Sequence, residues 1–422
     1  MSAVFAASGH TVLGFDEPER IAELERRELP VEEPGLRRLI EEQSDTGRLQ
    51  YTGRVEDLGA CQIVWIAYDT PIREDGTADA PWVLDTVASL FTHLAVGALV
   101  VVSSQVPVGS IASLERRAAE TCPERRLRFA SSPENLRLGR AIEYMRHPDR
   151  YVVGVRNKRD ADGLKEAFAP ISTSVEIMSV ESAEMTKHAL NAFLATSVSF
   201  INELAALCER TGADAREVER GLKTDIRVGS RAYLRAGGAY AGATLARDVD
   251  FIIAAEERVG LEPTMFRGVR TANDYHGTWS QRAFSENVGS PRGARVALLG
   301  LTYKPGTNTL RGSNSVALAK WFADQGATVV AFDPAVHEVP SDLQDVLTLA
   351  PSAQEALHGA DAAFVMTQWP EFHELTPDVI VAALRGANVF DAERFLEDRL
   401  ASESRLRYFA IGMSRQSRVA AP

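Results

Sequence analysis

The chain has 422 residues, 45% of them hydrophobic and 25% charged. That length suits two or three domains with cores of their own, and the composition excludes a disordered or fibrous protein. With 46 basic against 58 acidic residues the net charge is −12, which argues against a nucleic-acid partner and leaves an anionic ligand dependent on a few well-placed Arg and Lys side chains.

Met1–Ser8 reads as the tail of a helix with Gly9 as its C-terminal cap. Strand-length apolar or β-branched runs follow at His10–Asp16, Gln62–Tyr68, Ala98–Ser103, Leu127–Ser131 and Tyr151–Val155, with helix-like segments such as Pro18–Arg27 and Pro81–Leu94 between them. This alternation predicts a parallel sheet with helical crossovers. From Glu181 onward the spacing changes. Met185, His188, Ala189, Ala192, Phe193, Thr196 and Phe200 recur at three and four, predicting one long helix to about Gly212 with apolar residues on much of its circumference. Further helical segments reach Arg282, Glu286–Gly293 reads as a linker, and strands at Arg295–Gly300 and Thr328–Phe332 restart the alternation. The expected fold is α/β: two Rossmann-like parallel-sheet domains, 1–178 and 294–422, joined by a central helical domain, 179–285.

Cys61, Cys122 and Cys208 are scattered, with no C-x-x-C spacing, so neither a disulfide framework nor a metal site is expected. Apolar runs such as Ala98–Val102 are strand-sized and too short for a bilayer. The N-terminus lacks the basic region of a secretory signal. A cytoplasmic protein without membrane contact is the expectation.

Asp16 closes the strand T-V-L-G-F-D, where a Rossmann unit places the acid that binds a ribose 2′-OH and disfavours a 2′-phosphate. It equally suits the start of the next helix, with Pro18 near the first turn. No strand and no G-x-G-x-x-G precede it. The missing strand would be central in the sheet, and the missing turn would supply the N–H groups that hold a pyrophosphate. We expect a truncated start, by start-site choice or by genuine loss, which the reading frame upstream of Met1 would decide.

Several motifs are more specific together than singly: L-P-V-E-E-P-G-L ending at Leu36, Thr70-Pro71 followed by D-G-T-A-D at Asp75–Asp79, Val106-Pro107-Val108-Gly109 after Gln105, Ser132-Pro133-Glu134, and Pro148-Asp149-Arg150. Glu184, Lys187 and Asn191 stand at E-x-x-K-x-x-x-N, and Ile201-Asn202-Glu203 follows. Later come A-G-G-A-Y-A-G-A-T-L-A-R-D at Ala236–Asp248, L-L-G-L-T-Y-K-P at Leu298–Pro305, then Arg311 and Ser313, T-Q-W-P-E-F at Thr367–Phe372, and Val389-Phe390-Asp391. From about Gly9 to Met413 the chain resembles the UDP-glucose/GDP-mannose dehydrogenase family.

The resemblance implies NAD as cofactor, a nucleotide sugar (a UDP-sugar foremost) as substrate, and a homodimer built on the long helix. It implies cofactor contacts from Asp16, Thr70, Pro71 and Gln105. Catalytic roles fall to Lys187, Asn191, Asp248 and Glu134. Substrate contacts fall to Glu134, Leu136, Lys187, Asn191, Tyr233, Tyr240, Gly242, Lys304 and Arg311. The family's reaction removes two hydrides from one primary alcohol, and a cysteine captures the intermediate aldehyde. Thr244 stands in that cysteine's slot. An alcohol is far less acidic than a thiol and needs a dedicated base to attack, so Thr244 either serves a shorter oxidation or merely fills the space. Other departures lie nearby. Leu138 replaces an acid, Gly238, Ala239, Ala241 and Ala246 replace P, G, G and P, and Arg247 replaces a lysine. Asn308, Thr309 and Gly312 replace further acids, and Glu393-Arg394 replaces an R-N pair. The expected activity is NAD-dependent oxidation of a sugar hydroxyl, with an inactive binding homologue as the alternative. Without the resemblance, Glu184 and Lys187 read as a solvated i,i+3 ion pair.

Overall fold

The computed structural model describes residues 1–29, 33–73, 78–134, 136, 139–240, 243–310 and 312–414, with Ala243 described for its backbone alone. Backbone contacts divide the chain into two compact units, Met1–Ala189 and Leu190–Pro422.

In the first unit the helix Ser2–Ala7 ends at Ser8, and Gly9 takes the left-handed conformation (φ 100°) that caps it. Strand β1 (Val12–Phe15) then pairs in parallel with β2 (Leu49–Thr52). Five more strands form a second sheet in the order β3 (Ile63–Ile66), β4 (Leu99–Val102), β5 (Arg128–Ser131), β6 (Tyr151–Gly154) and β7 (Val175–Met178). Among the described residues no ladder joins β1 to β3. The β3–β4–β5 and β6–β7 ladders are parallel, but β5 meets β6 through a single antiparallel pair, Ser131 opposite Gly154, so the sheet is not wholly parallel as alternation alone suggested. Strand β4 is buried along its whole length, as a strand covered by helices on both faces must be. Val100 and Val102 pack with Val83, Val87, Ile111 and Leu114 on one face, and Leu99 and Val101 with Leu164 and Phe168 on the other.

The second unit begins within the long helix Val180–Thr211, which starts in the first. Helices Ala215–Thr224, Ala243–Arg258, Thr264–Gly277 and Trp279–Asn287 follow. A six-stranded, wholly parallel sheet then forms from β8 (Arg295–Leu299), β9 (Thr328–Phe332), β10 (Thr348–Leu349), β11 (Ala362–Val365), β12 (Asn388–Asp391) and β13 (Arg407–Phe409). Its order is β10-β9-β8-β11-β12-β13. The winding reverses between β8 and β11, and ligands of such sheets bind beyond the carboxyl ends of the strands at that switch point. Val296, Leu298, Phe364 and Phe390 pack with Trp279, Phe284 and Phe322 on one face, while Ala297, Leu299 and Val365 meet Leu357 and Ile380 on the other.

By length and composition alone the long helix could cross a bilayer, with a mean hydropathy of 1.3 over its best window. The strand-sized runs considered in the sequence missed this, because polar residues interrupt the helix without greatly lowering its average. Those polar residues, Glu184, His188, Asn191 and Asn202, are buried and bonded to other protein groups, so the helix serves as a core element.

Candidate active site

At the carboxyl ends of β1, β3 and β4 the first unit gathers Asp16, Thr70 and Gln105. Thr70 is buried, and its Oγ1 donates to the Gln105 carbonyl at 2.7 Å. The Gln105 amide nitrogen is itself buried without a hydrogen-bond partner among the described residues. A buried donor left unpaired is costly, and this one suits a carbonyl or carboxamide acceptor. Asp16 accepts from the Glu17 main-chain N–H at 2.9 Å through Oδ1, which leaves a half-exposed carboxylate at the strand end. Both features fit an adenine dinucleotide bound along the strand ends. Pro71 follows Thr70 in the same turn, its carbonyl accepting from Asp79 N–H at 2.7 Å.

The opening turns of the long helix lock onto this edge. Glu184 is 4% exposed, and its carboxylate accepts from the main-chain N–H groups of Gly109 (2.8 Å) and Ile111 (2.9 Å). It therefore caps the N-terminus of the helix Ser110–Thr121, where dipole and unpaired amides favour an anion. Burial raises its pKa, against the lowering effect of those two bonds. One turn on, His188 Nε2 bonds the Val106 carbonyl at 2.9 Å. Glu184 and His188 thus clamp the Val106–Gly109 loop from both sides, which overturns the solvated-pair alternative for Glu184. Between them Lys187 Nζ donates to the Glu134 carbonyl oxygen at 2.7 Å. The Glu134 carboxylate, exposed, accepts from the Leu136 N–H.

In the second unit Asn191 donates from Nδ2 to Asp248 Oδ2; Asp248 is fully buried and Asn191 6% exposed. Thr244 lies exposed in the first turn of the helix Ala243–Arg258, one turn before Asp248. The chain leading to it is held by side chains from several segments. Asn202 accepts from Gly237 N–H (3.0 Å) and donates to the Gly238 carbonyl (3.3 Å). Asn273 does the same for Tyr240 at 3.0 and 3.2 Å, and His276 Nε2 donates to the Gly237 carbonyl at 2.8 Å. Burial lowers the His276 pKa, keeping the ring neutral. Glu393 accepts from Gly238 N–H at 2.5 Å, and a Cβ at Gly237 would lie 2.6 Å from its carboxylate, so a side chain there would displace Glu393. Asn202 and Glu393 stood in the sequence as motif positions without a role, and nothing there singled out Asn273. Tyr240 packs on Ala192, Val249 and Val269, its hydroxyl is buried without a partner among the described residues, and burial pushes its pKa up to about 12. Tyr233 is half exposed, and Lys304 half-buried in the turn after β8. Gly242, Arg311 and Leu138 lie outside the described residues.

Residues 1–172 match the NAD binding domain of the UDP-glucose/GDP-mannose dehydrogenase family, residues 181–275 its central domain, and residues 297–398 its UDP binding domain. The chain belongs to the UDP-glucose/GDP-mannose dehydrogenase family. As a member of this family it is an NAD-dependent oxidoreductase of nucleotide sugars. It is 34% identical to the UDP-glucose 6-dehydrogenase of Pseudomonas aeruginosa, over 98% of this chain and 95% of that protein. It is also 34% identical to the UDP-glucose 6-dehydrogenase AglM of Haloferax volcanii, over 94% of this chain and 95% of that one. The structure of a UDP-glucose dehydrogenase from Pyrobaculum islandicum superposes with a TM-score of 0.86 at 30% identity, covering 98% of this chain and 94% of the other. Likeness to a UDP-D-ManNAc dehydrogenase from Pyrococcus horikoshii, TM-score 0.84 at 22% identity over 97% and 96% of the two chains, speaks to the fold alone.

Proposed function

We propose that the protein oxidises the primary alcohol of a UDP-sugar with NAD and stops at the aldehyde, after one hydride transfer. The observation that carries this reading is the survival of the Lys187–Glu134 contact in the first unit and of the Asn191–Asp248 contact in the second, together with an exposed Thr244 in the cysteine's slot. Lys187 and Asn191 are four residues apart on one helix, hence on one face. Their N–H groups would stabilise the alkoxide that forms as the alcohol loses its proton to a water held by Asp248. NAD, when bound, accepts the hydride; Asp16, Thr70, Pro71 and Gln105 would hold it. Tyr233, Tyr240, Gly242, Lys304, Arg311, Glu134 and Leu136 are the proposed substrate contacts.

Thr244 suits this first stage and not the second. Its hydroxyl makes no hydrogen bond among the described residues, so no base is in place to activate it. A panel of UDP-, GDP- and dTDP-sugars assayed for NADH should give turnover with one NADH per sugar. Thr244→Cys places a thiol in a helix's first turn, where its pKa falls, and should move the ratio from about one toward about two, as thioester formation requires. A wild-type ratio of two would sink the two-electron reading.

A second reading, a non-catalytic homologue that binds a nucleotide sugar or a partner subunit, is favoured by the lack, among the described residues, of a ladder joining β1 to β3. A clear micromolar dissociation constant for NAD by calorimetry would count against it. We also propose domain boundaries at 178/179 and 285/294, and a homodimer through the long helix. Phe193, Phe200 and Leu207 recur at sevens and are 65%, 47% and 58% exposed. Burying each side chain against a second copy would contribute about 1.5–3 kcal/mol. Sedimentation should report twice the chain mass, and Phe200→Glu should give monomers.

A further inference from the structure

The turn after β8 sits at the switch point of the second unit's sheet, where main-chain N–H groups commonly cradle a ligand phosphate. Here those groups are already taken. Asp333, the residue after β9, is 2% exposed, and its Oδ2 accepts from Leu301 N–H (2.7 Å), Thr302 N–H (2.9 Å), Thr302 Oγ1 (3.0 Å) and Trp369 Nε1 (3.1 Å). Its Oδ1 accepts from Ala335 N–H at 2.9 Å. The carbonyl side of the turn is equally occupied. Ser315 donates to Gly300 O and Ser313 to Leu301 O, both at 2.6 Å, and Thr367 donates to Thr302 O at 2.7 Å. Gly300 has φ 95°, and a Cβ there would fall 2.5 Å from Thr367 Cβ. The three residues therefore have one available path.

We infer that Asp333 is a positioning residue for nucleotide binding: its carboxylate is a built-in anion that fills the amide cluster of the switch-point turn and fixes where Tyr303 and Lys304 leave it. With the amides occupied, no ligand phosphate can sit on the turn, and the nucleotide is held by side chains that follow it, Lys304 first. This rests on the UDP-sugar reading above. It also gives T-Q-W-P-E-F a physical role, since Thr367 and Trp369 support the turn from β11's end.

The test is a double-mutant cycle in the full chain, read as UDP affinity by calorimetry below the thermal midpoint of every variant. Lys304→Ala should weaken UDP binding roughly tenfold in the wild type but less than about twofold in Asp333→Ala, because a misdirected lysine has nothing left to lose. Asp333→Ala alone should weaken UDP binding by roughly tenfold. Additive losses, or wild-type affinity in Asp333→Ala, would overturn the inference. If Asp333→Ala does not fold, Trp369→Phe keeps the ring and removes one donor. A several-fold weaker UDP affinity then supports the inference, and unchanged affinity overturns it. A wild-type chain that binds no UDP overturns the UDP-sugar reading and this inference with it.

Discussion

Lys187→Ala is expected to lower kcat for NADH formation roughly 10²–10³-fold, the range seen when one donor to a developing oxyanion is removed. The side chain emerges between two buried anchors, Glu184 on the Gly109 and Ile111 amides and His188 on the Val106 carbonyl. Its ammonium therefore points from a fixed backbone, and its contact with the Glu134 carbonyl sets its direction. Such a group is ready before the charge develops, so its removal should appear in kcat more than in binding. UDP affinity, measured by calorimetry, should stay within about twofold, because an interaction made only in the transition state contributes nothing to the ground state. Lys187→Arg should not restore the rate, since a planar fork on a longer side chain cannot reproduce a compact ammonium. A variant within tenfold of wild-type kcat would remove Lys187 from the reaction.

Arg394→Ala is expected to cost about 3–5 kcal/mol of stability, as loss of one partner of a buried ion network does. The guanidinium is 6% exposed and bonds Asp214 through Nη1 and Nη2 at 3.0 and 2.6 Å and Glu397 through Nε at 3.1 Å. Burial alone would lower its pKa, but the two carboxylates outweigh that and leave it raised. Asp214 opens the helix Ala215–Thr224 and Glu397 opens Glu397–Leu400, so one side chain ties that helix to the sheet's last crossover. Removing it leaves two poorly solvated carboxylates without the guanidinium they share. The pH dependence follows in sign. Although burial raises the Asp214 pKa, Arg394 lowers it more, so in the wild type it lies below its unfolded value. That stability is present above the unfolded pKa and lost as pH falls through the folded one. The gap between variant and wild type in urea midpoints should therefore be widest near neutral pH and narrow in acid. A pH-independent gap would point to lost packing.

The alternation of strands and helices, the long helix after Val180 and the linker before β8 were legible because they rest on periodicity and on glycine and proline, which act locally. Thr244 was legible because a motif supplied the comparison. The wiring of the site was not. Glu184 reaches amides 75 and 73 positions back, and His276 closes on a carbonyl 39 positions back. Hydrogen bonds between distant segments leave no period in a sequence. For the same reason nothing in the sequence marked Asp333, just past the strand Thr328–Phe332, and Glu184 could be taken for half of a surface pair.

The sequence by itself determined the family and the order of elements and offered a set of candidate site residues, since these depend on local patterning and motif. Only the tertiary structure decided that, among the described residues, β1 and β3 fall in separate sheets, that Glu184 and Asp333 are buried anchors, and that Asn202, Asn273 and Glu393 hold the chain ahead of Thr244. What a carboxylate or amide does is set by which donors surround it once water is gone, and that is a property of packing.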